Sequence, residues 1–120
     1  MDLRKLARYQ REFDRRHGWD WSNLRDHEKI EALNYLAVAL ASEIGEFCNL
    51  VKKITRRFKS LGELPSEKEL DSLYEELVDI FIYVLKASEE LFKKDLGKEY
   101  LEKMKKNEER FKEFENKSYD

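Results

Sequence analysis

The chain has 120 residues, of which 42% are charged, yet its formal net charge is only −2. This favours one domain (residues 1–120) with a modest core, and it gives no reason to expect a nucleic acid polymer as partner. The longest uncharged run, 32–42, is far too short to cross a membrane. The only cysteine, Cys48, rules out an internal disulfide, and the N-terminus is charged from Asp2 onward, so we expect a soluble cytoplasmic protein without a signal peptide.

Four helices are predicted, because the chain has only four glycines and one proline and shows no strand-like alternation. Asp2 can cap the first helix, and His17-Gly18 ends it. Pro65 marks the clearest break, and the sequence from Ser66 to Glu69 has the pattern of a capping box. We place the helices at about 3–16, from 23–28 to about 60, at 66–91 and at about 98–114, with a flexible tail at 115–120.

Two tryptophans, Trp19 and Trp21, lie in the loop between the first and second helices. Their simplest role is to pack back onto the helices. The alternative is that one of the rings stacks on a flat ligand such as a nucleobase. The loop sequence is compatible with both.

Two acidic pairs interrupt the two most apolar stretches of the chain. Glu43 and Glu46 lie in the second helix, and Glu76 and Asp79 lie in the third. Each pair is spaced i, i+3, so its carboxylates point to the same side of a helix. A carboxylate that is half buried among apolar side chains needs a cation, hydrogen-bond donors or a proton.

Four carboxylates on two facing helices are suited to binding Mg²⁺. This ion takes oxygen ligands and commonly works with carboxylates together with substrate phosphates, and it can orient and activate a water. Basic residues after Glu46, such as Lys53, and those of the fourth helix could offset phosphate charge. Either pair alone is a weak signal in a chain with 26 acidic residues, since a solvated helix face gives the same pattern.

Other enzyme classes fit the sequence less well. A di-iron helical bundle needs Glu-x-x-His pairs, and neither His17 nor His27 belongs to one. Cys48 has no neighbouring histidine or acid pattern, so we predict that it is a small buried apolar side chain. A glycine-rich phosphate loop is missing from the sequence, which argues against a P-loop enzyme.

Three segments occur in a fixed order: E-x-x-E, then E-x-x-D, then K-M-x-x-N-x-x-R at 103–110. Together they resemble the MazG-like family of all-α nucleoside triphosphate pyrophosphohydrolases. The dCTP pyrophosphatase branch is closest, because its second segment also has a tyrosine four residues after the aspartate, here Tyr83. The match covers roughly Leu36 to Phe111.

The resemblance implies Mg²⁺-dependent hydrolysis of a (deoxy)nucleoside triphosphate to the monophosphate and pyrophosphate, with Mn²⁺ as a possible substitute. The implied metal ligands are Glu43, Glu46, Glu76 and Asp79, and a glutamate of the first pair would also position or deprotonate the water. Phosphate or sugar contacts are implied for Lys103, Asn107 and Arg110, and Tyr83 would line the pocket. The family forms dimers or tetramers with sites near subunit interfaces, which agrees with a third helix that is apolar nearly all round.

The sequence departs from the family pattern at four places, one of which is the loop from Trp19 to Glu28, which is longer than in the dCTP branch. Ser42 stands where many members have a glutamate, and the spacer of 29 residues (47–75) is slightly long. Lys53 occupies a position that is aromatic in the dCTP branch, so base stacking would have to come from Trp19 or Trp21. These differences bear on the base preference more than on the reaction.

The sequence therefore predicts an all-α, four-helix antiparallel bundle with a central acidic metal site, assembled as a dimer or tetramer. Its predicted function is nucleotide pyrophosphohydrolysis, with the cleaning of the nucleotide pool as the physiological role. One alternative is a non-catalytic binding module in which the acidic pairs form salt bridges with two basic runs, one at 52–59 that includes Arg57 and one at 103–110. Another is a sensor that binds nucleotide without turnover.

Overall fold

The computed structural model describes residues 2–115, and every regular element in that range is helical. The elements are α1 (Leu3–Arg16), α2 (Asp26–Leu61), α3 (Glu67–Lys86), a π-helical turn (Ala87–Leu91), α4 (Leu96–Arg110) and a 3₁₀ turn (Lys112–Phe114). The prediction of an all-α fold with four main helices is confirmed. None of the described helices is long and apolar enough to cross a bilayer.

The helix ends follow the local signals in the sequence. Asp2 Oδ1 accepts a hydrogen bond from the Lys5 amide at 2.9 Å, and Ser66 and Glu69 form the predicted capping box. Gly62 ends α2 in the left-handed conformation, with φ of 69°, which a glycine adopts without steric cost.

Three boundaries differ from the sequence prediction. The third helix changes to π geometry after Lys86. The fourth begins at Leu96, where Asp95 caps it, and ends at Arg110 rather than near 114. The predicted flexible tail lies outside the described residues except for Glu115.

Helices α2 and α3 form an antiparallel hairpin. Arg57 pairs with Glu69 near the connecting loop, and Glu46 meets Glu76 further along. Helix α1 packs against α3 and the π-helical turn, and α4 packs against α1. The hairpin therefore places the two predicted acidic pairs at the same level on facing helices.

The core of one chain is thin. Its buried apolar residues are Ala7, Ala32, Leu85 and Ala87. The radius of gyration is 18.7 Å, whereas a compact domain of this length would have one of about 14 Å. Large apolar side chains on α2 and α3 stay open to solvent; Val38 is 71% exposed and Tyr74 is 68% exposed.

The prediction that Cys48 is buried was wrong, because its side chain is exposed. The half-buried stripe of α2 is rotated from the predicted apolar face: it includes Glu43 and Arg57, and it leaves Ile44 and Phe58 exposed. Cys48 lies outside this stripe. The same rotation turns Glu43 toward α3.

Glu69 links the start of α3 to the end of α2, and this link generates a prediction about acid stability. Arg57 donates to both Glu69 carboxylate oxygens, and the Ser66 amide donates to Oε1 at 3.0 Å. The hydrogen bonds from Arg57, and then those from Ser66, lower the pKa of Glu69 from 4.5 to about 2. Glu69 thus contributes stability that is fully present above pH 4.5 and is lost as pH falls toward 2.

We expect Glu69→Gln to be less stable than wild type at neutral pH, and the difference to shrink between about pH 4.5 and pH 2. Urea unfolding of both proteins across this range measures the difference. Glu67→Gln, an exposed position in the same helical turn, is the control and should show a smaller effect. A difference that persists unchanged at pH 2 would contradict the role given to Glu69.

Candidate metal and ligand site

Three carboxylates meet across the α2–α3 hairpin. Glu43, Glu46 and Glu76 each offer an oxygen, and these three oxygens all lie within 4.8 Å of one another. Opposite ligands of an octahedral Mg²⁺ ion lie about 4.2 Å apart. Small rotations of these side chains would therefore bring the oxygens to ligand distances around one divalent cation.

The cluster has buried acceptors without donors. Oε2 of Glu43 and Oε2 of Glu76 are buried and receive no hydrogen bond. Between residues 2 and 115, no lysine or arginine nitrogen lies within 4 Å of the carboxylates of the two acidic pairs. Arg57 of the basic run pairs instead with Glu63 and Glu69. The donor set thus suits a hard divalent cation, whose ligands are oxygens.

The pKa values show the mutual repulsion of these acids. The neighbouring Glu76 carboxyl group, and then the negative charge of Asp79, raises the pKa of Glu46. The neighbouring Glu43 carboxyl group, followed by burial, raises the pKa of Glu76. The cluster therefore holds a proton more readily than isolated carboxylates do, and a bound cation would compete with that proton.

Asp79, the fourth predicted ligand, does not belong to the three-oxygen cluster. It lies one turn further along α3 and lines a cavity together with Glu43. Its charge contributes to the raised pKa of both Glu46 and Glu76. The structure thus brings three of the four predicted ligands together, and the ligand role of Asp79 stays a prediction.

A cavity of about 810 Å³ adjoins Glu43 and Asp79. It lies between α1, α2, α3 and the α1–α2 connection that carries Trp19 and Trp21, here called the tryptophan loop. Its size is typical of small-molecule sites. Among the predicted substrate residues, Trp19, Trp21 and Tyr83 line it. The other four predicted substrate residues do not line it: Lys53, Lys103, Asn107 and Arg110. Those four stay predictions.

The two tryptophans take different environments in the cavity wall. Trp21 is half-buried and meets Tyr35 edge-on, with ring centroids 6.1 Å apart. Trp19 is 56% exposed and stacks on His17 at 5.0 Å. Trp21 thus packs back onto the helices, as the simpler prediction had it, while Trp19 presents ring surface to which a flat ligand could bind.

Sequence reasoning missed Tyr35 and Lys86, which also line the cavity. The pKa of Tyr83 is raised mainly by burial and then by the neighbouring Tyr35, so the Tyr83 hydroxyl stays neutral. The available signal was spacing: Tyr35 lies eight residues before Glu43, and Lys86 lies seven after Asp79, so each shares a helix face with an acid.

Comparisons of the chain with protein-family models, with curated proteins and with solved structures found no match. Support for a function therefore comes from the carboxylate cluster, the cavity beside it and the three sequence motifs.

Neutralising one carboxylate of the cluster should have opposite effects with and without metal. We expect Glu76→Gln to raise the thermal midpoint in EDTA, because it removes like-charge repulsion. The same change should abolish stabilisation by Mg²⁺ or Mn²⁺, which in wild type would reach about 2.7 kcal/mol at an ion concentration of about 100 times Kd. Thermal unfolding with EDTA and with each ion provides the measurement.

Glu75→Gln is the matched control, because Glu75 is the exposed neighbour of Glu76 and lies outside the cluster. It should keep the response to metal. A wild-type protein that gains no stability from either ion would count against the metal site.

Proposed function

We propose that this protein is a metal-dependent nucleotide pyrophosphohydrolase, which converts (deoxy)nucleoside triphosphates to the monophosphate and pyrophosphate. The observation that carries the proposal is the cluster of three carboxylates beside an aromatic cavity of about 810 Å³. The resemblance of the three motifs to MazG-like enzymes adds the reaction class. The proposed role is to clear unwanted nucleotides from the cytoplasmic pool.

The acidic residues at the proposed reaction centre would have different roles. Glu43, Glu46 and Glu76 would hold Mg²⁺ or Mn²⁺, with Asp79 as a further ligand. A bound ion would offset phosphate charge and lower the pKa of a coordinated water. Glu46 is the exposed member of the cluster, so it is the acid best placed to accept a proton from the attacking water.

The nucleoside would occupy the aromatic end of the cavity. Trp19 offers an exposed ring for stacking, and the neutral Tyr83 hydroxyl can donate a hydrogen bond near Asp79. The cavity wall carries many acids and one lysine, Lys86. A triphosphate would therefore lie at the end where the metal neutralises charge, and further cations must come from outside this wall.

The binding-module alternative has less support. It needs salt bridges between the acidic pairs and the basic runs, and the described residues pair differently, with Arg57 bound to Glu63 and Glu69. A sensor would share the metal and nucleotide site and would differ only in lacking turnover.

We expect pyrophosphate and monophosphate from a panel of ribo- and deoxynucleoside triphosphates with Mg²⁺. Glu46→Gln and Asp79→Asn should each lower kcat by roughly 100-fold or more, as expected for loss of a general base or a metal ligand. Glu75→Gln is the control and should stay active. Release of diphosphate and orthophosphate would mean a different scissile bond, and no turnover in folded, metal-binding protein would favour the sensor.

We also propose that the working unit is a homodimer or homotetramer. Apolar side chains such as Val38 and Tyr74 are exposed to solvent in a single chain. Because one elongated chain has only a small apolar core, a second copy that covers these side chains would stabilise it. The basic residues Lys53, Lys103 and Arg110 lie away from the cavity of their own chain. A neighbouring copy could bring such cations to the phosphate end.

Substitution of an open apolar residue should break the assembly. Light scattering of the wild type should give two or four times the 14.5 kDa chain mass, and Val38→Lys should shift it toward one chain, because a charge would be buried in the contact. Thr55→Lys, at an exposed polar position on another flank of α2, is the control. A monomeric wild type would contradict the proposed assembly.

A further inference from the structure

A second charged cluster lies behind the tryptophan loop. Asp14 of α1, Lys86 at the end of α3 and Glu90 of the π-helical turn are 3%, 6% and 0% exposed. Lys86 Nζ lies 3.1 Å from Asp14 Oδ2 and 2.8 Å from Glu90 Oε1. Buried charges are costly unless they are paired, and these three are among the most buried side chains of the described residues.

The π-helical turn, which spans Ala87–Leu91, carries Glu90 into this cluster. Its closing contact is a hydrogen bond from the Phe92 amide to the Ala87 carbonyl at 2.9 Å. Such turns distort a helix by one residue and often occur at functional sites. Here the distorted segment carries an acid whose side chain is fully enclosed.

The cluster binds the backbone of the tryptophan loop directly. Lys86 Nζ donates to the Trp19 carbonyl, and the Trp21 amide donates to Glu90 Oε1 at 2.9 Å. Lys86 Nζ also lies 4.1 Å from the centre of the Trp21 ring, a cation–π distance. Charged groups therefore hold the segment that forms this wall of the cavity.

The charges of the cluster do not balance when all three groups are ionised. Two carboxylates and one ammonium leave a buried charge of −1, and a single proton on Glu90 would cancel it. Glu90 Oε2 is buried without a hydrogen bond, so this oxygen can carry the proton. Burial, and then the neighbouring Asp14 carboxyl group, raises the pKa of Glu90 to about 8.

The groups around the cluster are mostly acidic. The remaining acids that line the same cavity are Asp20, Glu28, Glu31, Glu43 and Asp79. Asp20 is paired with Arg11 at 3.6 Å, Lys93 Nζ is engaged with the Ser22 carbonyl, and Tyr83 is neutral. This surplus of acids disfavours a further negative charge on Glu90.

We propose that Asp14, Lys86 and Glu90 form a proton-dependent latch that holds the Trp19–Trp21 wall of the cavity. With a proton on Glu90 the cluster is neutral and the loop is attached. When the proton leaves at alkaline pH, the buried negative charge is relieved by release of the loop. Glu90 and Lys86 are then positioning residues for ligand binding, a consequence that rests on the proposed function, whereas the latch itself does not.

The two tryptophans of the chain both lie in the latched segment, so tryptophan fluorescence reports on it without any ligand. We expect acrylamide quenching of the wild type to rise with a midpoint near pH 8, while far-UV circular dichroism stays helical. Glu90→Gln is neutral at all pH values and keeps the oxygen that accepts from Trp21. Its quenching should stay at the low value.

Glu89→Gln, at the adjacent position, is the control and should keep the wild-type transition. Asp14→Asn, a second variant, leaves ionised Glu90 balanced by Lys86, so its quenching should stay low at alkaline pH. A wild type without a transition, or a transition that stays unchanged in Glu90→Gln or in Asp14→Asn, would overturn the latch.

Hydrolysis provides a separate readout. KM for a nucleoside triphosphate should rise above about pH 8 more than kcat falls, and Glu90→Gln should remove that rise in KM. If the protein shows the fluorescence transition but no hydrolysis, the latch is supported and the proposed enzyme activity is contradicted. Hydrolysis with no fluorescence transition would support the proposed enzyme and overturn the latch.

Discussion

Repulsion among carboxylates at the α2–α3 contact is the constraint on which the site depends. Antiparallel helices are normally joined by apolar side chains, yet Glu43, Glu46 and Glu76 meet at this level of the hairpin. The ion pair between Arg57 and Glu69, at the end of the hairpin where the loop joins α2 to α3, sets the register that brings these acids together. The hairpin thus forces like charges together, and protons or a cation must offset them.

The chain has two clusters of acidic side chains, and they differ in whether the chain itself supplies a cation. In the cluster of Asp14, Lys86 and Glu90, the cation is part of the chain and the side chains are almost completely enclosed. In the cluster around Glu76, the described residues supply no cation, and one face opens to solvent through Glu46. This contrast supports the proposal that the cluster around Glu76 binds a cation from solution.

The sequence could predict what local chemistry determines. Helix caps such as Asp2 and Ser66 depend only on neighbouring residues, and so does the i, i+3 spacing of the acidic pairs. The helix positions and the meeting of three acids could therefore be predicted from the sequence. The rotation of the α2 stripe, which exposes Cys48, depends on how α2 packs against α3. The enclosure of Lys86 depends on α1 and on a π-helical turn, and no local pattern encodes either contact.

Two features that weaken a single chain point in the same direction. Helices α2 and α3 leave apolar side chains open, which costs free energy in water, and the cavity wall is rich in acids, which would repel a triphosphate. A second copy packed on these helices would cover the apolar surface, and its basic residues could lower the negative potential near the phosphates. Assembly and substrate binding would then be linked, because the contact that stabilises the fold would also complete the charge balance of the site.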